Sequence, residues 1–153
     1  MQSKIILSNY DISDICDYLK IPLIKIISKN ELNGTPKNGG YIVNLQSSNA
    51  GDGTHWVCFY VRGDIAVYFD SFGEVPPIEV INFLTNKNIY YNDLHIQDFN
   101  DDSCGFYCVA FLHYMDNHKG NLKVLSKKFT DFFDPIIQTN NVKILQKYFK
   151  WAV

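Results

Sequence analysis

Cys104 and Cys108 lie one helical turn apart in the stretch QDFNDDSCGFYC, residues 97–108. Such a pair suits three chemistries: a nucleophile, half of a metal site, or two small core residues. A cysteine nucleophile needs a depressed thiol pKa, access and a base. Cys104 follows Ser103, a good N-cap residue, and so falls in the first turn of a helix. Unpaired backbone N–H groups and the helix dipole favour a thiolate there. The N–H of Cys104 is also placed to hold an oxyanion, and Gly105 has no side chain to obstruct a substrate. Cys108 is a turn deeper, among Tyr107, Val109, Phe111 and Leu112, and reads as a buried apolar residue. Asp101 and Asp102 oppose a thiolate, so an active Cys104 requires a cation nearby.

A metal centre asks for more ligands than the chain offers. No second Cys or His pair has zinc-like spacing, and only His113 and His118 are close. The expectation is no metal and no cofactor.

The other half of a nucleophilic site lies upstream. His55 opens an apolar segment in GTHW, and Asp70 ends the next one in YFDSFG. If the two segments form a hairpin, both residues stand at the same end of its ladder. A carboxylate there binds one imidazole nitrogen and leaves the other free. Gln97, expected at the end of a further strand, carries an amide able to face an oxyanion. His95 is the rival base. Strand alternation would put it on the face of Gln97, with no acid placed for it as clearly.

The elements that must position these residues follow from pattern and turn chemistry. DISDICDYLKI, residues 11–21, has apolar residues at helical spacing and acids in its first turn, and predicts a helix stopped by Pro22. Residues 28–40 and 46–54 are rich in Gly, Asn and small polar residues and predict loops, either lids or plain connections. YIVNL at 41–45 predicts a strand. HWVCFYV at 55–61 and IAVYFD at 65–70, joined through RGD, predict the hairpin; RGD is read as its turn and not as an integrin motif. Residues 78–87 predict a helix opened by Pro77, and 88–98 one or two strands. CGFYCVAFLHYM, residues 104–115, is apolar nearly all round and predicts a buried central helix, with two amphipathic helices after it. The expected fold class is α+β, a mixed, mostly antiparallel sheet packed on a central helix that starts at Cys104.

Bulk properties limit the partners. A chain of 153 residues, 46% hydrophobic and 15% aromatic, suits a single domain over 1–153. The net charge is −2 and the basic residues form no block beyond KVLSKKF at 123–129, so nucleic acid is not expected as a partner. No apolar run approaches the roughly 18 residues of a membrane helix. The first residues lack a signal-peptide layout, and a reducing compartment is expected.

GTHWVCFYV, YFDSFG and IQDFNDDSCGFYCVAFL, in that order, resemble the adenain-like and SUMO-protease-like (clan CE) cysteine proteases. Their shared layout is His-Trp, an acid after a strand, a Gln, and Cys-Gly opening a helix. Here these are His55-Trp56, Asp70, Gln97 and Cys104-Gly105, with the Gln seven positions before the Cys. In size the chain looks most similar to the maturation proteases of virophages and Polinton-type (Mavirus-like) elements. The resemblance implies a papain-like fold in rearranged, adenain-type order. It implies cleavage of viral capsid or precursor proteins after small residues, often Gly-Gly, in the virus factory of the host cytoplasm and in the virion. It makes Cys104 the nucleophile, His55 the general base and then acid, and Asp70 the group that orients His55. Gln97 and the Cys104 N–H become the oxyanion hole. Trp56 is either a wall of a narrow substrate channel or a core aromatic, and Gly53 falls on the substrate-binding side with it. Asp70 matches the SUMO-protease branch, whereas adenovirus enzymes carry Glu. The acidic balance argues against DNA activation and leaves room for a peptide activator. A monomer is expected.

A deubiquitinase or deSUMOylase with the same site is the main alternative. An acetyltransferase of the same clan would need an acyl-CoA site, and no phosphate-binding loop or basic cluster lies close in sequence. A non-enzymatic interaction domain is disfavoured by the presence of all four site residues.

Overall fold

The computed structural model describes residues 6–46 and 55–152, the last two by backbone alone. Helix α1 (Asn9–Tyr18) leads into strand β1 (Leu23–Ser28) and, after a short 3₁₀ turn, β2 (Gly39–Asn44). Strands β3 (Trp56–Arg62) and β4 (Ile65–Phe69) form the hairpin, followed by α2 (Ile78–Phe83) and β5 (Asn88–Tyr91). Helices α3 (Cys104–Asn117), α4 (Leu122–Thr130) and α5 (Asn141–Ala152) complete the chain, with a 3₁₀ turn before α5.

The five strands lie in chain order in one mixed sheet. Strands β2–β3 and β3–β4 pair antiparallel, and the two outer pairings, β1–β2 and β4–β5, are parallel. The antiparallel part is thus narrower than expected, because Leu23–Ser28, for which the pattern predicts no strand, forms a parallel edge strand. The central strands alternate between two apolar layers. Trp56, Cys58, Tyr60, Val67 and Phe69 join the cluster around α3, while Val57, Phe59, Val61, Ala66 and Tyr68 pack with Val80 and Leu84 of the α2 side. With both faces covered, β3 and β4 read as unbroken apolar runs and not as alternating ones. Helix α3 rests on β3 and β2 and is packed by α1, α4 and α5, which is why nearly all its residues are apolar.

Local chemistry sets the ends. Ser8 caps α1 in a capping box with Asp11, so the helix starts earlier than expected. It stops before Pro22 matters: Lys20 adopts φ +58, and Ile21 N–H bonds Cys16 O at 2.9 Å, a Schellman closure. Strand β5 ends at Tyr91, so of the one or two strands expected over 88–98 one forms, and residues 92–103 are irregular. Arg62 ends β3 and donates to the carbonyls of Met115, His118 and Gly120, tying the hairpin to the end of α3. No helix among the described residues is long and apolar enough to cross a membrane.

Candidate active site

His55 stands just before β3 and Asp70 just after β4, at the open end of the hairpin. Nε2 of His55 lies 2.8 Å from Oδ1 of Asp70. Asp70 is 1% exposed and is held on several sides. The same Oδ1 accepts the Phe72 N–H at 2.8 Å. Asn92 accepts the Asp70 N–H at 3.2 Å and donates to its carbonyl at 3.1 Å. The Asn92 amide therefore takes over from β5 as the partner of the chain after β4. Gly73 closes the turn with φ +73 and a hydrogen bond of 2.8 Å to Asp70 O. A Cβ there would meet backbone atoms of Leu94 at 2.8 Å, so only glycine fits. The Phe72 ring stacks on the imidazole, with centroids 4.7 Å apart.

Cys104 opens α3 and is 6% exposed. Its Sγ accepts the Trp56 N–H at 3.5 Å. With Nε2 taken by Asp70, Nδ1 is the ring nitrogen left over, and Cys104 is close enough to act on the imidazole. Burial is the largest influence on the imidazole and lowers its pKa, but the hydrogen bonds and charges of Asp70 and Cys104 outweigh it and raise the value to about 9. An imidazolium at neutral pH is the cation that Asp101 and Asp102 call for. Asp101 is also partly turned away: its Oδ1 accepts the Ser103 N–H at 3.0 Å and Ser103 Oγ at 2.6 Å. Burial, against those two bonds, raises the Asp101 pKa. Ser103 is thus the N-cap residue of α3 by position alone, because its hydroxyl serves Asp101 and not the helix.

Gln97 lies in the irregular segment and not at a strand end, so strand alternation does not relate it to His95. Side chains and turns hold it instead. Ser71 O accepts the N–H groups of Ile96 and Gln97 at 2.9 and 3.0 Å. Ser71 Oγ donates to Gln97 Oε1, and Gln97 Nε2 donates to Asp101 O at 2.6 Å. One amide N–H therefore braces the turn that delivers Cys104, leaving the second. From the far end of the chain, Gln138 donates to His95 O at 2.6 Å and Asn141 to Ile96 O at 2.7 Å. Asn141 is fully buried and also pairs both backbone groups of Asp134. Sequence reasoning missed Ser71, Asn92, Gln138 and Asn141. Ser71, beside Asp70 in FDSFG, had the nearest thing to a signal; a polar residue reaching 45 positions back has none.

The remaining sequence candidates separate clearly. Cys108 is 1% exposed, and burial followed by the neighbouring Cys58 pushes its thiol well above the ordinary range. Trp56 is 6% exposed, belongs to the core cluster and donates its indole N–H to Leu7 O at 3.0 Å. His95 meets Phe72 and Phe99 edge-on, and its Nε2 is buried without a partner among the described residues, so no acid holds it. Gly105 faces inward, where a Cβ would stand 3.1 Å from Leu7 Cδ1; it makes room for the segment before α1 and not for a ligand. Gly53 lies outside the described residues. The described residues contain no cluster of metal-ligating side chains.

No protein-family model and no curated protein matches this chain. Among solved structures it is similar to the central domain of the uncharacterized Lpg1148 protein from Legionella pneumophila, at a TM-score of 0.54 and 12% identity over 96% of each chain. That likeness is one of fold. The ASFV pS273R protease is a more distant structural neighbour, at a TM-score of 0.44 and 19% identity, over 71% of this chain and 42% of that one. The chain therefore spans less than half the length of that protease.

Proposed function

We propose that this chain is a cysteine endopeptidase that processes viral capsid or precursor proteins after small residues, Gly-Gly-like sites above all, during virion maturation. The observation that carries the enzymatic part is His55 held by buried Asp70, with Cys104, at the start of α3, close enough to act on its imidazole. The substrate class, a monomeric state and a location in the host cytoplasm and virion rest on the motif resemblance.

In this reading Cys104 and His55 form a thiolate–imidazolium pair. The thiolate adds to the scissile carbonyl. The oxyanion is held by the Cys104 N–H, which has no intrahelical acceptor, and by the second N–H of Gln97. His55 gives its proton to the leaving amine, and the amine departs, leaving a thioester. The neutral imidazole then takes a proton from water as the hydroxide attacks. Collapse of that second adduct frees the acid and the thiolate. Asp70 keeps the ring oriented throughout and stabilises its charged form.

Cys104→Ala should abolish cleavage of a Gly-Gly precursor peptide, while Cys108→Ala retains it. Equal loss in both folded variants sinks the assignment. Incubation with capsid precursors and, separately, with ubiquitin and SUMO conjugates tests the substrate class. Cleavage of the conjugates alone would replace precursor processing with an isopeptidase role.

A further inference from the structure

The aromatic column beside His55 has no part in the chemistry above. Phe72 covers one face of the imidazole, and Phe99 stacks on Phe72 with centroids 5.6 Å apart. His95 stands edge-on to both rings, 5.3 Å from Phe72 and 4.5 Å from Phe99. The column runs from half-buried His55, held by buried Asp70, outward to Phe99, which is 77% exposed. Phe99 is the solvent-facing end of that column, an aromatic surface continuous with the imidazole.

The reaction itself says what passes here. His55 must protonate the leaving amine, so the chain that follows the scissile bond lies on the imidazole side of Cys104. The ring stacked on His55 is Phe72, and the ring stacked on Phe72 is Phe99. The same loop carries Asp98, Asp101 and Asp102, whose charges bear on one another. None of the three has an ion-pair partner among the described residues. An apolar ledge edged by unpaired carboxylates suits an apolar side chain followed by a cation.

We infer that Phe99, seated on Phe72, is a specificity-determining residue for the leaving side of the substrate. It selects a bulky apolar residue just after the scissile bond, with a Lys or Arg next to it drawn by Asp98 and Asp102. This inference rests on the cysteine-protease reading and adds to it the half of the substrate that the Gly-Gly preference does not describe.

Four peptides test it. They share one acyl half ending in Gly-Gly, and their leaving halves begin Leu-Lys, Leu-Glu, Gly-Lys or Gly-Glu. Comparing kcat/KM between peptides within one enzyme cancels any general loss of activity. Wild-type protein should prefer Leu over Gly by about tenfold. Lys should be preferred over Glu severalfold at low salt, and less as salt is raised. Phe99→Ala should bring the Leu/Gly ratio to near one, and Phe99→Leu should retain most of it. Asp102→Asn should reduce only the Lys/Glu ratio. Equal cleavage of all four peptides by wild type, or an unchanged Leu/Gly ratio in Phe99→Ala, overturns this inference and leaves the protease reading standing. No cleavage of any peptide by wild type overturns both.

Discussion

His55 and Asp70 are held by a β-ladder, whereas Gln97 is held by side-chain amides and turns reaching in from distant parts of the chain. The hairpin half needs few specific residues, because five consecutive cross-strand pairs fix where its open end lies. Asp70 then requires only the Asn92 bridge and the turn through Phe72 and Gly73. The segment at 92–103 has no ladder, and its buried backbone groups must find other partners. Ser71, Gln138 and Asn141 supply partners for the backbone groups of residues 95–97 and for the Gln97 amide, while His95 Nε2 and Asp101 Oδ2 have none among the described residues. The regular half sets the charge state of the pair, and the irregular half delivers the amide and the helix start. That division can be broken experimentally.

The largest effect separates the two halves by chemistry. His55→Ala should lower kcat by about 10³-fold or more and slow alkylation of Cys104 by iodoacetamide near neutral pH. Gln97→Ala should lower kcat by about 10²–10³-fold with alkylation at the wild-type rate, since alkylation forms no oxyanion. Slowed alkylation in Gln97→Ala would mean that the two halves are not independent.

A smaller effect belongs to the hairpin half alone. The folded imidazole holds its proton up to about pH 9, against an ordinary value of 6.5. The resulting stabilisation is complete below pH 6.5 and is lost as pH rises through about 9. The difference corresponds to about 3 kcal/mol. Denaturant melts of wild type should therefore lose stability across that window, and Asp70→Asn should flatten the loss. Parallel profiles for the two proteins would show that the ion pair does not govern it.

The smallest effect tests the irregular half. Asn141→Ala leaves Ile96 O and both backbone groups of Asp134 without their amide partner, and should cost about 2 kcal/mol. Under folded conditions kcat should fall with KM and alkylation rate little changed, because the loosened part is the Gln97 segment. A loss shared equally by alkylation would place Asn141 in general stability only.

Cys104, the hairpin and the buried helix were legible because each rests on local signals. A polar run before an apolar one, two β-branched and aromatic segments around a turn, and an all-apolar helix report short-range physics, although the Ser103 hydroxyl bonds Asp101 and not the helix. Strand β1 was missed since a short apolar run does not distinguish an edge strand from other buried segments. Of the one or two strands expected over 88–98, only the first four residues pair in the sheet, because Asn92, Ile96 and Gln97 are buried beyond them without a ladder. Gly105 suggested an open approach, yet its empty side faces Leu7, a packing neighbour nearly a hundred positions away.

By itself, then, the sequence determined which residue types stand at the ends of which elements, because capping, turn formation and strand alternation act over a few residues. It also separated Cys104 from Cys108 by one turn of helix. Only the tertiary structure decided that His55 Nε2, and not Nδ1, faces Asp70, that Trp56 belongs to the core, and that Gln97 is gripped by Ser71 and the Asp101 carbonyl. It alone brought Asn141 under Ile96. These are contacts between groups far apart in the chain. Their geometry follows from how sheet and helices pack, and no local pattern records it.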